Sequence, residues 1–206
     1  MIAITCILLT AVLGISQVAN AGSGWVVYHE QSFKGRVIDA ETKEPIEGAV
    51  VVAQYHSNVL GPASSHSTLI DVQEALTDGK GEFFIPSKTK IIYPLSVGDD
   101  TSFLVWKPGY KKEDIWGGYF FAKEPGTIEN RPTHTEKGLE LKPVRLGIVE
   151  LRKVKTMDER KMALADPQGE KSEWRKQKQF IKMIRKEWEH LTGKSAGDLY
   201  KSEEED

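Results

Sequence analysis

At 206 residues, with 39% apolar, 9% aromatic and 28% charged positions, the chain has the composition of one globular domain, or a domain with an extension, and not of a collagenous or wholly disordered polymer. Twenty-eight Lys and Arg against thirty Asp and Glu leave a formal charge of −2, which excludes a generalised nucleic-acid binder with its strongly basic footprint. Any basic contact surface must be local.

Residues 1 to 21 hold no Asp, Glu, Lys or Arg, and Ile2 to Ile15 is a nearly unbroken apolar run. That run has the length of a signal-peptide core and falls short of the roughly 20 residues that span a bilayer. Ala19-Asn20-Ala21 places small residues where signal peptidase reads, so cleavage after Ala21 is expected, with an uncleaved amino-terminal membrane anchor as the alternative. The single cysteine, Cys6, lies inside this segment. The exported chain then has no thiol, which excludes a disulfide framework, a thiol enzyme and a cysteine-ligated zinc site. The expected localisation is secreted or periplasmic.

Residues 25 to 155 are rich in short β-branched and aromatic runs punctuated by Gly, Pro, Asn and Asp. The pattern predicts strands at Trp25 to Tyr28, Phe33 to Asp39, Ala49 to Tyr55, Leu69 to Thr77, Glu82 to Ile85, Phe103 to Trp106 and Leu139 to Val154. Many short strands separated by turns favour an antiparallel β-sandwich, because a sheet with one apolar face needs a second sheet to cover it. Pro143 and Gly147 interrupt the last run and imply an edge strand or a bulge there.

From residue 156 to about 200 the apolar period changes from two to 3.6, which predicts a helical extension. Thr156 and Glu159 have capping-box spacing, and Pro167 ends the helix that follows them. Ser172 is a candidate cap for a second helix, on which Trp174, Ile181, Ile184, Trp188 and Leu191 share a face, and Gly193 is a natural stop. Lys201 to Asp206 reads as an acidic, disorder-like tail.

The stretch from Gly35 to Val52 contains Asp39-Ala40-Glu41-Thr42 and Pro45-Ile46-Glu47-Gly48-Ala49; Thr77-Asp78-Gly79-Lys80-Gly81-Glu82-Phe83 and Lys107-Pro108-Gly109-Tyr110 follow. These three ordered motifs resemble the carboxypeptidase regulatory-like domain, over roughly residues 33 to 115. The resemblance implies a β-sandwich of transthyretin-like, or prealbumin-like, topology and no particular activity, since in metallocarboxypeptidases such a domain is an accessory to a separate catalytic domain. Physical reading of the same residues makes them structural. Asp39 and Thr42 suit turn amides, Gly48 can take positive φ, Asp78-Gly79 signals a hairpin turn, Phe83 and Ile85 face the core, and Ala49 to Ala53 is apolar enough to be buried on both faces.

Two enzyme families share the transthyretin-like sandwich, and neither motif transfers. Intradiol dioxygenases bind iron with two Tyr and two His, a spacing that maps onto nothing here. Hydroxyisourate hydrolases end in Tyr-Arg-Gly-Ser, whereas this chain ends Ser202-Glu203-Glu204-Glu205-Asp206. His29, His56, His66, His134 and His190 show no metal-ligand spacing, and His56 and His66 bracket a Ser/Asn/Gly/Pro-rich loop, where exposed loop histidines are expected. No catalytic residue, metal site or cofactor is therefore assigned.

Two segments remain as binding candidates. From Trp106 to Phe121 aromatic residues surround Gly109, Gly117 and Gly118, ahead of a polar, Pro-bearing loop through Lys137, and Trp116, Tyr119 and Phe120 are the candidate ligand-binding residues. Their exposure would favour a glycan platform, and their burial a core role. Residues 170 to 194 carry eight Lys or Arg against four Glu beside the Trp174, Ile181, Ile184, Trp188 face, which could pack in cis, seat a partner helix or lie on a membrane. The expectation is an exported, non-enzymatic binding or assembly module with a protein or glycan partner in the cell envelope. Carbohydrate binding and a small-molecule hydrolase or dioxygenase are the alternatives.

Overall fold

The computed structural model describes residues 27–60, 65–92, 96–98, 100–135, 138–197 and 199–200. The expected leader at residues 1–21, Trp25 of the first expected strand and the acidic residues 201–206 lie outside them.

The strands are β1 (Val27–Glu30), β2 (Phe33–Asp39), β3 (Val50–Leu60), β4 (Ser65–Leu76), β5 (Glu82–Ile85), β6 (Lys88–Ile91), β7 (Ser96–Gly98), β8 (Ser102–Trp106), β9 (Glu113–Trp116), β10 (Ile128–Thr135), β11 (Gly138–Arg145) and β12 (Ile148–Leu151). A 3-10 turn spans Gly118–Phe121, and α1 (Met157–Met162), α2 (Lys171–Trp174) and α3 (Lys178–Thr192) close the chain. The larger sheet has the order β4-β3-β8-β9, with β7 also on β3, and the smaller has β12-β2-β5. Among the described residues the strand pairings are antiparallel except β12 with β2. The protein is a mainly β chain, a sandwich with a helical C-terminal layer.

Alternation along the strands decides what each face meets. Phe33 and Val37 of β2, Phe83 and Ile85 of β5, and Val149 and Leu151 of β12 face Val51, Ala53 and Tyr55 of β3 and Phe103 and Val105 of β8 across one apolar core, which Phe121 completes. Phe33, Phe103, Phe121 and Phe83 meet edge-to-face in a chain of rings with centroids 4.6–5.1 Å apart. The intervening residues of the larger sheet, Val50, Val52, Val72, Leu104 and Trp106, are buried too, under Ala165, Phe180 and Ile184. A strand such as Ala49 to Ala53 is apolar throughout because this sheet is covered twice, once by its partner sheet and once by helices.

The helical layer is fastened by polar contacts as well as by this second core. Thr156 and Glu159 form the expected capping box on α1. Ser172 lies inside α2 and is the N-cap of neither α2 nor α3. Instead the Glu74 carboxylate of β4 accepts from the backbone N–H groups of Gln179 and Phe180 at 2.9 and 3.0 Å, so the sheet caps α3. The Trp106 indole N–H donates to Ala163 O at 2.9 Å, and the buried Gln177 amide exchanges two hydrogen bonds with the Gln168 backbone. Asp71 of β4, almost wholly buried, takes Lys176 at 2.5 Å and Lys88 at 2.7 Å. Burial raises the Asp71 carboxyl, but hydrogen bonds from Lys176, Lys88 and the Val72 N–H outweigh it and hold the group at about 2. Gly193 ends α3 in the left-handed region, as its position implies.

The buried face of α3 is rotated from the expected one, toward Phe180 and Glu187. Glu187 can be buried because Arg160 of α1 holds both its oxygens, at 2.5 and 2.9 Å, a pairing that a polar-versus-apolar reading does not anticipate.

The motif residues take up the expected structural work. Asp39 Oδ1 accepts from the N–H groups of Glu41 and Thr42 at 2.8 and 2.9 Å, and Tyr110 O–H reaches its other oxygen at 3.1 Å, joining two motifs that lie 71 residues apart. Gly48 has φ +67°, and Phe84 points outward between the buried Phe83 and Ile85. The Asp78 turn departs from expectation, because β4 and β5 do not pair: β4 belongs to the larger sheet and β5 to the smaller, so the turn crosses between sheets and is no hairpin. Gly81, with φ +72°, is the glycine it requires, since a Cβ there would lie 2.4 Å from Val37 O.

The run Leu139 to Val154 is two strands. Gly147, at φ +69°, turns the chain between β11, which pairs with β10, and β12, which returns to the smaller sheet. The polar segment expected as a loop is strand β10, and Leu139 and Leu141 are 64% and 69% exposed because the β10–β11 hairpin carries them away from the core. β6, β7 and β9 also escape the apolar-run reading: β6 (Lys-Thr-Lys-Ile) and β9 (Glu-Asp-Ile-Trp) are polar edge strands held by pairing.

Candidate functional site

The aromatic segment Trp106 to Phe121 divides in two. Trp106 and Phe121 are fully buried, the first under the helices and the second in the sandwich core. Trp116 is 70% exposed and Tyr119 47%. Phe120 sits edge-to-face on Phe121 at 4.8 Å and packs, partly buried, against the core, unlike the exposed Trp116 and Tyr119.

Trp116 ends β9, which pairs with β8 as an edge of the larger sheet. The registers Gln54↔Ser102 and Ser102↔Trp116 set these three residues in one row across three strands, and alternation puts them on the same face as Val52 and Leu104, the face the helices cover further along. Asp114, two residues before Trp116, shares that face. Here the helical layer stops. Gln168, between α1 and α2, marks its margin, and beyond it opens a cleft of about 270 Å³ lined by Gln54, Ser102, Asp114, Ile115, Trp116 and Gln168.

The exposed rings are each backed by one protein group. His56 stacks on Trp116 with ring centroids 6.2 Å apart and planes at 28°, and its Nε2 lies 3.1 Å from Ser102 Oγ. His56 and His66 are thus strand residues, on β3 and β4, and not loop histidines. Tyr119 lies under the Arg131 guanidinium, 4.1 Å from its ring centroid, and Arg131 is steered from β10 by Glu129 at 2.7 Å. Gly117, at φ +96°, makes the corner between the two rings, because a Cβ there would come within 2.4 Å of the Tyr119 ring.

Chemically the site offers an oriented aromatic face beside hydroxyl, carboxamide and carboxylate groups, the pairing of apolar and hydrogen-bonding surface that ring-shaped polyols present. Ser102 is almost wholly buried, and its contact with His56 fixes the imidazole behind Trp116. Among the described residues no three His, Cys, Asp or Glu side chains converge as a metal site. The helix residues Trp174, Ile181, Ile184 and Trp188 do not form one exposed face: Ile181 and Ile184 are buried, Trp174 belongs to α2 with its N–H on Gly169 O at 3.2 Å, and Trp188 is half-buried. No helix among the described residues is long and apolar enough to cross a membrane.

No family model matches the chain, and no curated protein matches it. Among solved structures it is similar to the catechol 1,2-dioxygenase of Acinetobacter radioresistens, at 19% identity and TM-score 0.34 over 71% of this chain and 56% of that one. A hydroxyquinol 1,2-dioxygenase of Pseudomonas putida DLL-E4 shows 16% identity and TM-score 0.30 over 63% and 57%. The chain therefore spans little more than half the length of either enzyme.

Proposed function

We propose that this chain is an exported carbohydrate-binding module that seats a sugar ring on Trp116, with Tyr119 as a flanking contact and Gln54, Asp114 and Gln168 bonding its hydroxyls. The observation that carries the reading is a tryptophan 70% exposed yet oriented by a stacked histidine, at the mouth of a polar cleft. Exposing an indole forfeits about 2 kcal/mol of burial, which a structural role would not require. The C–H face of a pyranose removes that surface from water, while its equatorial hydroxyls need the planar polar groups that line the cleft. Export rests on the composition of residues 1 to 21.

The test is isothermal titration of the chain with soluble tetrasaccharides of glucose, mannose, galactose and N-acetylglucosamine. At least one should bind saturably, and Trp116→Ala should weaken it at least tenfold, Tyr119→Ala less. Absence of saturable binding across the panel, or equal binding by Trp116→Ala, would refute the reading.

A further inference from the structure

A second cleft, on the far side of α3 from the sheet, has different chemistry. It has a volume of about 400 Å³ and is lined by Arg175, Lys178, Lys182, Arg185 and Lys186, with Trp174, Tyr200 and Ile181 as its apolar part and, among the described residues, Glu189 as its acid. Lys178, Lys182 and Lys186 recur every four residues along one row of the helix, and all three are exposed. None of these three lysines forms an ion pair among the described residues. Like charges four apart repel and weaken a helix, so the row has no stabilising function of its own.

This is a built cleft and not a bare helix face. Beyond Gly193 the chain folds back along α3. The Glu189 carboxylate accepts from Ala196 N–H at 2.8 Å, and Arg185 Nε donates to Leu199 O at 2.6 Å. Those bonds bring Tyr200 against Trp174, edge-to-face at 5.4 Å, and Tyr200 O–H bonds the Asp166 carboxylate. One wall is therefore a cation row and the other an aromatic pair.

We infer that this cleft is a binding site for a ring bearing two or more phosphate groups, a phosphorylated sugar or cyclitol, either free or carried as a lipid headgroup. The three exposed lysines of the row carry more charge than a monoanion neutralises. They supply point charge to phosphate oxygens, and the aromatic wall fits the ring that carries the phosphates. The site is independent of the Trp116 cleft and stands or falls separately.

The experiment is titration of the folded chain with inositol hexakisphosphate and, in parallel, with phosphatidylcholine vesicles carrying a lipid with a bisphosphorylated glucosamine headgroup. One-to-one binding of either probe, weakening as salt is raised and falling about tenfold for each lysine reversed in Lys178→Glu and Lys182→Glu, is expected. The milder Lys178→Ala/Lys182→Ala/Lys186→Ala variant should lose affinity with an unchanged circular dichroism spectrum. Lys34→Glu/Lys43→Glu, an equal charge change on the sandwich, should bind as the parent does. Which probe binds assigns the source, soluble or lipid-borne. Binding that appears only after residues 203–206 are removed also supports the site and identifies those acids as its competitor. No saturable binding to either probe with or without residues 203–206, an equal loss in the Lys34/Lys43 control, or binding to plain phosphatidylglycerol vesicles that ignores the cleft lysines would overturn it.

Discussion

Trp116 and Phe121 stand five residues apart on one stretch of chain and meet opposite fates. Phe121 is sealed among Phe83, Phe103 and Phe120, whereas Trp116 projects from an edge strand with a histidine at its back. The difference lies in what the third layer does. The larger sheet buries the centre of its inner face against the smaller sheet, but the helices cover its outer face only as far as Gln168, and Trp116 sits beyond that limit. Similar residues thus do structural work inside the covered area and stay exposed to solvent outside it.

Substitutions should rank by this division. The largest effect belongs to the ring cluster: Phe121→Ala should destabilise the chain by about 3–5 kcal/mol, through lost burial and the cavity left among three phenylalanines, as read by chemical denaturation. A value under about 1 kcal/mol would mean the inner layer is not the sealed core described.

The fastening of the helical layer should come next. Asp71 is held at about 2, below its ordinary value, so its contribution is fully present above about pH 4 and is lost as the pH falls through about 2. Asp71→Asn should therefore cost about 2 kcal/mol at pH 7, and the difference between parent and variant should shrink toward pH 2. A gap that does not narrow on acidification would contradict the pairing of Asp71 with Lys176 and Lys88. Smaller again, Glu74→Gln should cost about 1 kcal/mol and loosen the first turn of α3, seen as faster amide exchange at Gln179 and Phe180.

Much of the fold could be read from residue pattern, and the reasons for the failures are physical. β2 and β5 lie where alternation placed them, and the capping box and the Gly193 stop depend only on local chemistry. The misread elements depend on partners far away in sequence. β6, β9 and β10 are polar strands defined by what they pair with, and Ser172 lost its capping role to Glu74, roughly a hundred residues earlier. The Asp78 turn looks like a hairpin in sequence because the same residues serve a connection between sheets.

The candidate site was legible in part. Glycine-flanked aromatics pointed to Trp116 and Tyr119, but nothing local distinguished them from Phe120, which packs against the core. Gln54, Ser102 and His56 join the site only through the cross-strand register of β3, β8 and β9. A signal existed in His56, whose alternation with Gln54 along β3 places both on one face.

The most direct measurement sets the stability of Trp116→Ala beside its binding to the tetrasaccharide that the parent chain takes up. The account predicts unfolding free energy within about 0.5 kcal/mol of the parent and affinity reduced at least tenfold. A variant that unfolds as Phe121→Ala does, or that binds the sugar as well as the parent, would contradict it.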